Sequence, residues 1–213
     1  MDTTGSGPAY TILTPRLALR AASPEHAARI AEAVDASTEA LATWMTWAVG
    51  APFPVEHHLA NFRGFRAMFE RDEAYPYVIF EREGDVCVGG GGLHRRVGPN
   101  ALEIGYWIRS DRTNRGYATE AAGALTRIGF ELFKVERMEI RVAVGNHRSS
   151  AVAPKLGYFL EATLRERIPL PAPGGGQRLG DAQVWTMFAD QYAASPAADV
   201  RVEALDAVGR RIL

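Results

Sequence analysis

Between residues 101 and 144 the chain runs strand, turn, helix, strand, and that order limits what it can fold into. Ala101 to Arg109 reads as a strand. Asp111-Arg112-Thr113-Asn114-Arg115-Gly116-Tyr117-Ala118-Thr119 then turns into a helix reaching about Phe133, with Ala121, Leu125, Ile128 and Leu132 on one apolar stripe. Residues 138–144 follow as a strand that is apolar apart from Glu139 and Arg141. A strand–helix–strand crossover favours parallel pairing of the flanking strands.

The rest of the chain is built around this unit. Arg16-Leu17-Ala18-Leu19-Arg20 places Leu17 and Leu19 on one face of a strand. Ser23-Pro24 reads as a cap with proline at the first helical position, opening a helix to about residue 34. A second helical stretch covers roughly 37–47, with Trp44 and Trp47 one turn apart, and Val55, Leu59, Phe62 and Phe69 mark a third. Strand runs at 75–81, 85–91 and 101–109 follow, the last two joined as a hairpin by Val97-Gly98-Pro99-Asn100. A short helix at 150–156 is stopped by Gly157, and strands at 158–168 and 182–189 flank a glycine-rich loop. Antiparallel strands followed by a crossover give a mixed α/β, or α+β, sheet. The expected organisation is one domain over residues 1–190 and a C-terminal helical extension over 191–213, with Val202, Leu205 and Ile212 on one face. That apolar face suggests a homodimer, or docking on the chain's own domain.

The net charge of −1 excludes a global field for nucleic acid. The lone Cys87 cannot form an internal disulfide, which suits a reducing compartment. The N-terminus lacks a basic start and an apolar core, so no secretory leader is expected. No apolar run is long enough to span a bilayer. A cytoplasmic protein is expected, with no membrane partner.

Several residues could carry chemistry. Arg115-Gly116-Tyr117-Ala118-Thr119-Glu120 places small residues where a strand exit becomes a helix N-terminus. Free N–H groups there can hold an anion, or the glycine can simply serve the turn. Gly89 to Gly92 is not a dinucleotide fingerprint, because the third glycine would fall at Arg95 and no helix opens; it reads as a bulge or a close packing site. The hairpin register sets His94 across from Glu103, as a base or as a surface pair. Trp44, Met45 and Trp47 could wall a pocket or belong to the core. The histidines form no metal-binding pattern.

Taken in order, four segments resemble the GCN5-related N-acetyltransferases, and among them the ribosomal-protein acetyltransferase branch. They are Leu13-Thr14-Pro15-Arg16-Leu17-Ala18-Leu19-Arg20; Glu103-Ile104-Gly105-Tyr106-Trp107-Ile108; Arg115-Gly116-Tyr117-Ala118-Thr119-Glu120-Ala121; and Asn146, Ser149, Val152, Lys155-Leu156-Gly157-Tyr158, Glu161 and Leu164-Arg165. Trp44-Met45-Thr46-Trp47 is also similar to members acting on ribosomal-protein amino termini.

The resemblance implies a mostly antiparallel sheet splayed between two parallel strands, with acetyl-CoA or another short acyl-CoA bound across the splay. Ile108, Arg109 and Ser110 would lie along the pantetheine. Arg115, Gly116, Tyr117 and Ala118, with Thr119, would cradle the pyrophosphate. Asn146 would contact the pantetheine arm, and Ser149 would place a hydroxyl near the sulfur. Glu103, tuned by His94, would help deprotonate a primary amine, and Trp44, Trp47 and Glu103 would meet that acceptor. Thr113 departs from the Gln or Arg common three residues before the glycine, and Ala153 stands where many members carry an acidic tyrosine. The acceptor implied is a peptide or protein N-terminus. A small amine, an antibiotic or a polyamine, a succinyl donor, and a silent acyl-CoA-binding module remain open.

Overall fold

The computed structural model describes residues 7–213. The first six residues, on which part of the leader reading rests, lie outside that range. Nine strands form one sheet in the order β7-β8-β6-β5-β4-β3-β2-β1-β9. In chain order the strands are β1 (Thr11–Leu13), β2 (Leu17–Ala21), β3 (Ala74–Glu81), β4 (Cys87–His94), β5 (Ala101–Ile108), β6 (Arg137–Ala143), β7 (Phe159–Pro171), β8 (Gln177–Phe188) and β9 (Glu203–Leu205). The helices are α1 (Ala27–Asp35), α2 (Thr38–Trp44), α3 (Val55–Glu70), α4 (Tyr117–Arg127), α5 (His147–Ser150) and α6 (Ala189–Tyr192). Every neighbouring pair is antiparallel except β5 and β6, the pair joined by the α4 crossover.

Both faces of the central strands are covered, which is why β3 is apolar at almost every position. Tyr75, Tyr77 and Ile79 point to the α4 side, where they meet Leu93, Leu102, Ile104, Leu125 and Ile128. Val78 and Phe80 alternate to the other side, against Ala22, Ile30, Ala33 and Phe62. The glycine run in β4 serves close approach. A Cβ on Gly89, whose φ is 154°, would lie 2.1 Å from the Trp107 carbonyl oxygen, and one on Gly90 would lie 2.8 Å from the Trp107 indole nitrogen. The Trp107 indole can therefore pack against Gly90 only because no side chain stands there.

Three local expectations are corrected. The stretch 37–47 is not one helix. α2 ends at Trp44, Met45 is extended (φ −116°, ψ 111°), and a 3-10 turn spans Thr46–Ala48, so the two tryptophans diverge. The helix expected at 150–156 is two pieces, α5 and a 3-10 turn at Pro154–Leu156, separated by a turn and ended by Gly157 at φ 92°. The extension 191–213 is not helical beyond Tyr192. Its apolar residues enter the sheet as β9, which pairs with β1, while Val200, Val202 and Ile212 pack on the main core. The spacing of Val202, Leu205 and Ile212 fits a helix period, but an open sheet edge at β1 accepts the segment instead. That docking withdraws the reason for expecting a dimer. Among the described residues no helix is long and apolar enough to cross a membrane.

Candidate active site

The parallel pair comes apart midway along its length. β5 and β6 are partners from Ala101/Arg137 to Ile104/Ile140, yet β5 runs on to Ile108 and β6 to Ala143. The Arg109 N–H bonds to Val88 O on the β4 side, whereas Asn100 O accepts from Glu136 on the β6 side. Backbone groups alternate between the two edges of a strand. Tyr106 and Ile108 therefore turn their N–H and C=O groups toward β6, into the opening where no strand answers them.

At the mouth of this opening stands the N-terminus of α4. Gly116 caps it at φ 82°, in the left-handed region. Its first intrahelical bond is Glu120 N–H to Gly116 O, so the amides of Tyr117, Ala118 and Thr119 have no acceptor within the helix. The turn is held from a distant segment. Thr14 Oγ1 and the Arg16 N–H donate to Glu120 Oε1 at 2.6 and 3.0 Å. Arg16 Nε reaches Glu120 Oε2 at 2.6 Å, and Arg16 Nη1 donates to the Arg115 carbonyl at 2.8 Å. Beside the turn lies an open groove of about 590 Å³, lined by Arg16, Gly116, Thr119, Lys155 and Arg201 among others. Lys155 and Arg201 take part in no ion pair among the described residues.

Not every expected contact is free. The Ser110 amide donates to the Ser37 hydroxyl at 2.9 Å, and the Arg109 amide is in the β4 ladder, so neither can serve a bound molecule as drawn from the sequence. Ile108 keeps its place at the opening. Asn146 spends its side-chain oxygen on the Ser149 N–H at 3.2 Å, capping α5. Ser149 itself faces an unforeseen partner. The Tyr106 hydroxyl lies 3.1 Å from Ser149 O and 3.2 Å from Ser149 Oγ.

The His94–Glu103 register is as expected, but the two side chains share no hydrogen bond among the described residues. Glu103, buried on the sheet face, instead accepts Arg96 Nε at 2.9 Å and Arg96 Nη2 at 2.5 Å. Its parallel-strand neighbour Glu139 is also buried and is answered by Arg137 and Arg141, each at 3.0 Å. Arg141 stands 4.0 Å from Glu103 as well. Among the described residues the His94 ring has no hydrogen-bond partner; it lies beside Gly105, where the strands begin to part. Burial holds its pKa below the ordinary imidazole value; Arg96 adds to that lowering and Glu103 opposes it.

Trp44 and Trp47 end on opposite arms of the opening. Trp47 meets Trp107 of β5 with ring centroids 6.0 Å apart, and Trp44 reaches the Gly145 turn that follows β6. Trp47 is 47% exposed. Cys87 is buried, and its thiol is pushed up to about 11 by burial, which suits packing and not nucleophilic attack.

Known proteins resemble this chain in sequence and in fold. A family model described as an acetyltransferase (GNAT) domain matches residues 16–158. YdaF of Bacillus subtilis (strain 168), provisionally named a ribosomal N-acetyltransferase, is 26% identical over 151 residues, covering 70% of this chain and 81% of its own. The fold is shared with RimL, a ribosomal L7/L12 alpha-N-protein acetyltransferase solved with coenzyme A (TM-score 0.71, 22% identity, 83% of this chain and 96% of that one). It is shared equally with Mycobacterium smegmatis RimJ in complex with CoA-disulfide (TM-score 0.74, 23% identity, 88% and 90%).

Proposed function

The chain belongs to the GNAT acetyltransferase family, and from that premise we propose that it moves the acetyl group of acetyl-CoA to a primary amine at a peptide or protein N-terminus. The observation that carries the reading is the parting of β5 from β6 beyond Ile104 and Ile140. An extended donor with amide groups can take the place of the missing strand. The residues present fit such a donor. The α4 amides and Gly116 suit its pyrophosphate, and Lys155 and Arg201 in the groove, which also holds Asp199 and the Arg16–Glu120 pair, suit the anionic nucleotide end.

The bound thioester supplies an activated carbonyl. The N–H groups of Tyr106 and Ile108 on the open edge of β5 can donate to its oxygen as charge develops. Arg96 already occupies both oxygens of Glu103, so the neutral His94 imidazole is the free group for taking a proton from the incoming ammonium. Glu103 then acts as a fixed anion that favours the protonated imidazole. Ser149 donates to the departing sulfur.

Support for a peptide acceptor comes from Trp44 and Trp47, which stand on the two arms of the opening, and from the ribosomal acetyltransferases among the similar proteins. The test is acetyl transfer from acetyl-CoA, followed by thiol release, to a panel of N-terminal peptides, polyamines and aminoglycosides. Transfer to peptides is expected. Turnover confined to the small amines would overturn the acceptor assignment, and CoA binding without turnover on any amine would overturn the enzyme reading.

A further inference from the structure

We propose that Tyr106 is a positioning residue for the leaving-group side of the reaction, its hydroxyl holding Ser149 with the serine proton directed into the opening. The proposal rests on the reading of Ser149 as the donor to sulfur. Tyr106 stands two residues beyond Ile104, the last β5 residue paired with β6. Its hydroxyl reaches across the gap to Ser149, at 3.1 Å from the carbonyl oxygen and 3.2 Å from Oγ. It thereby ties together two arms that no backbone ladder joins at this level. Among the described residues it is the only side chain hydrogen-bonded to the Ser149 hydroxyl. The Ser149 backbone is fixed from the other side by Asn146 Oδ1 on its N–H. Ala153, four residues further on, is fully buried and carries no proton to give.

The direction of the bond decides the role. The Ser149 carbonyl oxygen can only accept, so the Tyr106 phenol is the donor, and burial, which pushes it up to about 12, keeps it protonated. Shared between Ser149 O and Oγ, which lie at nearly equal distances, that one hydrogen makes Oγ an acceptor and leaves the serine's own hydrogen for a sulfur in the opening. The serine O–H bond breaks as an S–H bond forms, and the serine recovers its proton from water. Tyr106 keeps its proton throughout. A phenylalanine would keep the ring in the core and leave the serine hydroxyl free to rotate.

The test uses Tyr106→Phe, Ser149→Ala and the double variant of the full chain, with two readouts. The first is the titration of the bound CoA thiol, followed by its ultraviolet thiolate absorbance. A donor aimed at sulfur lowers that pKa, so Tyr106→Phe should raise it toward the value in Ser149→Ala, with CoA affinity from calorimetry unchanged. The second is turnover. Tyr106→Phe should lower kcat by roughly tenfold, less than the roughly 10²–10⁴ that general-acid assistance supplies because the serine itself remains, at unchanged KM for acetyl-CoA. The same change in the Ser149→Ala background should do nothing further. An equal effect of Tyr106→Phe with and without Ser149, or an unmoved thiol titration in Tyr106→Phe alone, would overturn the positioning role. A Ser149→Ala protein with wild-type turnover and thiol titration would instead remove Ser149 from the mechanism, and Tyr106 with it.

Discussion

Arg96 closes over Glu103 with two hydrogen bonds, and the pair is lopsided: the arginine side chain is 61% exposed and the glutamate 7%. An exposed pair contributes about 0–1 kcal/mol, but a buried group stripped of its partner costs about 1–3 kcal/mol. The burial of Glu103 decides for the larger figure, tempered by Arg141 at 4.0 Å. Arg96→Ala should therefore lower the urea unfolding free energy by about 1–2 kcal/mol. A loss below about 0.5 kcal/mol, the usual scatter of surface changes, would show that Arg141 alone satisfies the carboxylate.

Gly116→Val addresses the mouth of the opening. A Cβ there would meet Arg16 Nη2 at 3.2 Å, and the φ of 82° is unfavourable to any side chain. The added methyls also stand where phosphate must approach the α4 amides. CoA affinity by titration calorimetry should fall at least tenfold in a variant with an unchanged circular dichroism spectrum. Unchanged affinity would place the pyrophosphate elsewhere.

Much of this was legible from local pattern. The crossover from residue 101 to 144, the Gly116 turn and the facing of His94 and Glu103 follow from periodicity and turn chemistry over short spans. What stayed hidden is non-local. Tyr106 and Ser149 are 43 residues apart, and Ser37 and Ser110 are 73 apart. No spacing rule joins such pairs. Arg96 lies only seven residues from Glu103, but in a polar loop an arginine carries no mark of its partner. Arg16 and Glu120 were both in recognisable segments, and their opposite charges were the one signal that could have joined them. The tail misled because an edge strand of three residues is too short to show a period of two.

The tail is fastened at Gly123. A Cβ on that glycine would lie 2.7 Å from Val200 Cγ2 and 3.0 Å from Leu156 Cδ2. Alanine gains about 1 kcal/mol over glycine inside a helix, while overpacking costs about 1–3 kcal/mol. Valine is stiff and cannot step aside, so the clash should win. Gly123→Ala should destabilise the protein to urea, and adding Val200→Ala should restore part of the loss. A Gly123→Ala variant more stable than the parent would show that the tail yields freely.

Stability should depend on three histidines. Burial is the largest cause lowering the pKa of His26, His58 and His94. A base lowered in the folded state contributes stability that is fully present above its unfolded value, about 6.5, and lost as pH falls through the folded value. His58 is the sharpest case, because its Nε2 is buried without a partner among the described residues. Urea midpoints should drop between neutral pH and pH of about 5, and His58→Leu should reduce that slope. An identical slope in the variant would assign the acid sensitivity to other groups.

The last expectation separates the two candidate bases by sign. If His94 takes the proton, kcat should rise with pH through one ionisation below the ordinary histidine value of about 6.5. His94→Gln should abolish that rise and cut kcat by about 10² or more. The neighbours then shift the inflection in opposite directions. Glu103 raises the His94 pKa and Arg96 lowers it. Glu103→Gln should therefore move the inflection to lower pH, and Arg96→Ala should move it to higher pH, both with the ionisation retained. A carboxylate base gives a different pattern. Glu103→Gln would erase the rise, and His94→Gln would leave it standing. Should Glu103 only hold the cationic acceptor, its removal would raise KM and leave both kcat and its pH profile in place.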